Sequence, residues 1–163
     1  MDYDVLAKKV NDLEFILNCQ NSFPFFMENV LGFKMAEFQK EQFADAFNSR
    51  YVCIVNPIGH SKTTVFSVGY STWRLWKERD YEICLISSSL DQSKKIMDIV
   101  QQNVEQNPFL KHLVPSGKES LWNRTELMTT NGNKYYVKPF NSTVRGVHPN
   151  LLICDDSYRD WET

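Results

Sequence analysis

Two short stretches carry residue types suited to phosphate chemistry. The first, Asn56-Pro57-Ile58-Gly59-His60-Ser61-Lys62-Thr63-Thr64, follows the apolar run Tyr51-Val52-Cys53-Ile54-Val55. A buried strand that breaks into a turn and restarts as a helix aims several unpaired backbone N–H groups, and the positive end of the helix dipole, at one point. Lys62 adds a point charge there, and the Thr63 hydroxyl is suited to a magnesium ion. The second stretch, Asp155-Asp156, ends the run Leu151-Leu152-Ile153-Cys154. Ligands of open α/β sheets bind at the C-terminal ends of strands. One carboxylate is therefore placed to hold Mg²⁺ through its waters, and the other to orient or deprotonate an attacking water.

Neither stretch decides the matter alone. The loop departs from the G-x-x-x-x-G-K-[ST] pattern at both glycines, where Asn56 and Ser61 stand. Asn tolerates positive φ and Ser is small enough for backbone to approach a ligand, so the physical case survives. A strand, turn and helix whose Lys62 is a solvated surface charge fits the same residues, and Asp155-Asp156 also fits a polar loop after a core strand. A Lys-Thr helix start and a carboxylate pair at two strand ends of one chain support each other as a nucleotide site.

The chain of 163 residues, 42% hydrophobic and 13% aromatic, suits one domain with a sizeable core. It shows no charged-then-apolar leader and no apolar run near the roughly 18 residues of a membrane span, so a soluble intracellular protein is expected. Cys19, Cys53, Cys84 and Cys154 form no C-x-x-C pair, and the last three lie in strand-like runs. Buried free thiols are expected from them. His60, His112 and His148 share no ligand spacing, so no structural zinc is expected. A formal charge of −2 is a poor footprint for a surface that grips nucleic acid throughout; any DNA contact is local or lies outside this chain.

The elements that must position the two stretches follow from periodicity. Val5, Leu6, Val10, Leu13, Ile16 and Leu17 are spaced for an amphipathic N-terminal helix that packs or docks. Phe23-Pro24-Phe25-Phe26 interrupts it as a core cluster, Met27 to Leu31 continues as a short turn, and Gly32 closes it. Residues 36–47 read as a helix with Phe38, Phe43, Ala46 and Phe47 on one face. Gln39 falls near the other, where a surface glutamine is the plain expectation. The helix after the loop runs from Lys62 to about Glu78, packing Val65, Val68, Thr72, Leu75 and Trp76.

A buried strand at Tyr81–Ser87 precedes a helix at about Leu90–Gln106, capped by Ser89 or Asp91, with Ile96, Ile99, Val100 and Val104 inward and Asn107-Pro108 as its stop. Asn131-Gly132-Asn133 marks a hairpin between 125–130 and 134–140. Residues 151–154, apolar without alternation, read as a strand buried on both faces. Alternating strands and helices predict an α/β fold with a mainly parallel sheet.

In this order the residues resemble the ATPase domain of the large terminase subunit, the genome-packaging motor of tailed phages and related viruses. The likeness covers about Phe38 to Asp156. It rests on Phe38-Gln39, the loop from Pro57 to Thr63, Ser87-Ser88-Ser89 with the helix ending at Asn107-Pro108, the Asn131-Gly132 hairpin, Arg145-Gly146, and the run from Pro149 to Asp156. The resemblance implies a P-loop NTPase fold of the ASCE/RecA-like kind: an N-terminal helical segment at 1–35, then an ATPase domain at 36–163 with a β-hairpin insertion.

It also implies roles. Gln39 corresponds to the adenine-contacting glutamine. Lys62 is the phosphate residue, Thr63 and Asp155 hold the magnesium, and Pro57, Ile58, Gly59, His60, Ser61 and Thr64 form the rest of the nucleotide-binding loop. Asp156 stands where the family has its catalytic acid, usually Glu. Arg145 corresponds to an arginine reaching the γ-phosphate of a neighbouring subunit. The implied cofactors are ATP and Mg²⁺. The implied partners are double-stranded DNA, a ring of identical subunits, the portal and the small terminase subunit, with no membrane, in the cytoplasm of the infected host cell.

Two departures stand out. Ile58 occupies a place where the family often carries arginine, and the chain ends seven residues after Asp156, as expected of a fragment lacking the later strands and the nuclease domain. A helicase-like translocase shares the glutamine and carboxylate logic; a non-hydrolysing nucleotide-binding assembly module is the alternative of a different class.

Overall fold

The structure is a computed structural model and describes residues 3–117, 121–140 and 148–156. The chain divides into two compact units, Met1–Cys53 and Ile54–Thr163. Among the described residues no helix is long and apolar enough to cross a membrane.

The first unit is helical: α1 (Tyr3–Asn21), α2 (Phe23–Asn29) and α3 (Glu37–Phe47). The N-terminal helix does stop before Phe23-Pro24-Phe25-Phe26, but that segment, contrary to expectation, is itself helical and begins α2. Ser22 accepts a hydrogen bond from the Phe25 N–H at 3.2 Å, and Pro24 sits in the first turn, where its missing N–H costs nothing. Phe23, Phe26, Met27 and Cys19 are buried, with Phe23 against Phe43 at 4.5 Å. α3 forms where its periodicity predicts, but turned: Phe38 and Phe47 are exposed and Gln39 is buried. The cause is local. Ala36 lacks a capping side chain, and the Gln39 amide oxygen reaches back to accept from the Ala36 N–H at 2.9 Å, half of a capping box.

The second unit is α/β. A π-helical stretch, Thr63–Tyr70, runs directly into α4 (Ser71–Lys77); β1 (Glu82–Ser87) and α5 (Leu90–Gln106) follow, then a short 3₁₀ turn, β2 (Glu126–Met128), β3 (Lys134–Pro139) and β4 (Leu151–Asp155). The sheet has the order β2-β3-β1-β4. β1 lies parallel to β3 and β4, and β2 is antiparallel to β3, so the sheet is mixed rather than mainly parallel. The hairpin is the reason: Gly132 takes φ +85° between β2 and β3 and reverses the chain.

Val68, Leu75, Ile96, Met97 and Val100 from the helices close over Ile83 and Leu85 of β1 and Tyr135 and Val137 of β3. Ser89 caps α5 by accepting from the Gln92 N–H at 3.2 Å. Ile99, expected inward, is exposed, and Met97 is buried in its stead, because the buried stripe runs through Ser93, Ile96, Met97, Val100 and Val104.

Two strand expectations fail. Tyr51–Val55 forms no strand, and Tyr51, Val52, Cys53 and Val55 are exposed. Its β-branched composition favours extended backbone, but a strand exists only where a neighbour completes its hydrogen bonds, and none of the four strands pairs with it. Among the described residues β4 pairs only with β1 and stands at the sheet edge, so Leu152 and Cys154 are exposed rather than buried on both faces. Cys53 and Cys154 are therefore exposed thiols, while Cys19 and Cys84 are buried and pushed up to about 11 by that burial.

The hairpin turn also finishes α4. The amide nitrogens of Asn131 and Asn133 donate to the carbonyls of Leu75 and Glu78 at 2.7–3.0 Å, groups that a helix end leaves open. Asn133 in addition accepts from the Tyr81 N–H at 2.8 Å and is wholly buried. Asn133→Ala strands that N–H, since Asn131 still serves the two carbonyls; it is expected to cost about 2–3 kcal/mol in urea unfolding. Asn131→Ala, which leaves Asn133 in place, is expected to cost less.

Candidate functional site

The loop after Asn56 takes left-handed backbone at two points, freely at Gly59 and with strain at Ser61. Gly59 takes φ +88° and Ser61 φ +54°, a left-handed conformation that costs a residue with a Cβ on the order of 1 kcal/mol. Positive φ thus falls on Gly59 and Ser61 rather than on Asn56. A turn closed by the His60 N–H on the Pro57 carbonyl at 3.4 Å leads into the helix, whose first bond runs from the Val65 N–H to the Ser61 carbonyl at 2.9 Å. Lys62 folds back over the loop and its Nζ donates to the Asn56 carbonyl at 3.0 Å. The following turns are π-helical, an irregularity that concentrates at functional sites.

The two stretches singled out in the sequence meet here. The Thr63 hydroxyl lies 3.1 Å and 3.2 Å from the two carboxylate oxygens of Asp155, across 92 positions of sequence, and donates to them. Asp155 ends β4 and is buried; Asp156 follows with φ +47°, a second strained residue. Pro57 to Thr63 and Asp156 line an open cavity of about 270 Å³. That is below the usual range for a whole small-molecule pocket and suits a phosphate chain better than an entire nucleotide. Burial pushes the Asp155 carboxyl above its ordinary range; the Thr63 hydrogen bond opposes the shift, while the nearby Asp156 charge adds to it.

The chain matches no protein-family model and no curated protein sequence. The chemistry of the site therefore rests on its own geometry.

The loop and the carboxylates, all within the second unit, come together as expected. Gln39 lies on α3 of the first unit with its amide oxygen held by Ala36. Arg145 lies outside the described residues. Thr64, His60 and Ile58 are exposed, Ile58 at 88%.

Two further groups belong to the site and escaped the sequence reasoning. Ser67, one turn beyond Thr63 and buried, stands close enough to Asp155 to oppose the upward shift of its carboxyl; a small hydroxyl residue four places after Thr63 was the available signal. Ser87, at the end of β1, pairs in register with Asp155, and its buried hydroxyl has no hydrogen-bond partner among the described residues. No group of three or more His, Cys, Asp or Glu among the described residues could enclose a metal. A hydroxyl beside one or two carboxylates instead suits Mg²⁺, which keeps most of its waters and shares its remaining positions with substrate phosphates.

Proposed function

We infer that this chain is a nucleotide-binding ATPase domain and, from the resemblance of its ordered motifs, that it belongs to a terminase-type motor that drives double-stranded DNA into a viral procapsid. The observation that carries the reading is the Thr63 hydroxyl on the Asp155 carboxylate, with Lys62 on the same loop. In this reading Lys62 releases the Asn56 carbonyl and binds the terminal phosphates, and backbone N–H groups of the loop cradle them. Thr63 and Asp155 hold Mg²⁺, with Ser67 keeping the carboxylate oriented. The bound ion supplies neutralisation of the phosphate charge. Asp156, on the cavity wall, orients the attacking water. Arg145 of a neighbouring subunit completes the charge balance in the ring, a role drawn from the resemblance alone.

Binding of ATP, with and without magnesium, to the wild type and to Thr63→Val tests this. The substitution preserves shape and removes the hydroxyl, so it is expected to weaken MgATP about tenfold, the size of a lost metal contact, and to leave magnesium-free ATP unchanged. No MgATP binding by the wild type would overturn the reading; binding without phosphate release in the assembled motor would favour the non-hydrolysing module.

A further inference from the structure

α1 carries apolar side chains on two opposite sides. One side is used within the first unit: Cys19 is buried, and Phe15 meets Phe25 of α2 edge-on at 5.7 Å. The other, Leu6, Val10, Leu13 and Leu17, is open, each side chain between 47% and 61% exposed. At about 100° per residue Phe15 stands about 160–180° from Leu6, Leu13 and Leu17, so the face that packs on α2 is turned away from this stripe.

The spacing of the open stripe is four, three and four residues. That is the narrow seam of a heptad repeat, with Val10 and Leu17 at a positions and Leu6 and Leu13 at d. A β-branched residue at a with Leu at d favours two strands in parallel. The same register puts Lys9 at g and Glu14 at e, on opposite flanks of the seam. Neither makes an ion pair among the described residues. In a parallel pair a g residue faces the e residue five places further along the other helix, so Lys9 of each copy faces Glu14 of the partner subunit. In an antiparallel pair g residues face g residues and e residues face e residues, so Lys9 and Glu14 would not meet across the seam.

We propose that α1 is a self-association helix, whose Leu6, Val10, Leu13 and Leu17 seam pairs in parallel with the same seam of a second copy of this chain, held in register by two reciprocal Lys9–Glu14 ion pairs. The contact is isologous and independent of the nucleotide site. The seam is about 17 Å long and buries less than the roughly 1,200 Å² of a standard interface, so the dimer is weak and concentration-dependent.

Sedimentation velocity of the nucleotide-free chain from about 1 to about 300 µM, a range bracketing a weak interface, tests the proposal. A monomer–dimer transition is expected. Leu13→Ser should move its midpoint up about tenfold or more. Lys9→Glu should weaken the dimer and Lys9→Glu/Glu14→Lys should restore it, which only the parallel register produces. All these side chains are exposed, so the circular dichroism and Tm of the variants should match the wild type and exclude misfolding as the cause. A monomer throughout the range, a dimer indifferent to Leu13→Ser, or failure of the double reversal to restore association would each overturn it.

Discussion

Lys62→Ala is expected to weaken MgATP binding about 10- to 100-fold, the loss of charge-assisted contacts worth ~1.5–3 kcal/mol. Among the described residues the side chain reaches one partner, the Asn56 carbonyl at 3.0 Å. That carbonyl is half-buried and lies in an open loop, where water replaces the ammonium, so the variant should unfold within about 1 kcal/mol of the wild type. The separation of the two effects is the point of the experiment. A lysine that only rigidifies the loop would lower stability and leave nucleotide affinity intact; one that binds phosphate does the reverse. Calorimetric titration with MgATP beside a urea melt reads both. Equal affinity in the two proteins removes Lys62 from the site and with it the nucleotide reading.

The site was more legible in the sequence than the sheet around it, and the reason is physical. Ser61-Lys62-Thr63 marks a helix start and Asp155-Asp156 the end of a strand, and in an α/β layer helix starts lie at the C-terminal ends of strands; hence Thr63 meets Asp155. Which face of an element turns inward depends on partners that propensity does not describe. Gln39 goes in because Ala36 cannot cap its own helix, and Phe38 goes out as a consequence. Tyr51–Val55 has a strand's composition without a strand's neighbour. Leu152 and Cys154 are exposed because β4 is an edge, a property of sheet order rather than of four apolar residues in a row. Ser67 and Ser87 enter the site through helix phase and strand register, both invisible until the two elements are paired.

Asp155→Asn separates stability from function most sharply, because the two are expected to move in opposite directions. Burial holds the Asp155 carboxyl above its ordinary range. A raised folded-state pKa means that the native fold favours the protonated acid: the stabilisation it contributes is complete below the unfolded-state value and is lost as pH rises through the folded-state value. At neutral pH the nucleotide-free protein therefore carries a partly desolvated charge at the end of β4. Asn keeps an oxygen for the Thr63 hydroxyl, now 3.1–3.2 Å from the carboxylate oxygens, and removes the charge. The variant's Tm without ligand should rise by about 2–4 °C, the shift that ~1 kcal/mol produces in a domain of this size. The gain should shrink as pH falls and the wild-type carboxyl protonates. The same change withdraws the charge that attracts Mg²⁺, so magnesium should no longer raise the Tm in the presence of ATP, and turnover in the assembled motor should be lost. A carboxylate that serves only to tie β4 to the loop would give the opposite melt, a lower Tm at neutral pH, with the magnesium effect preserved.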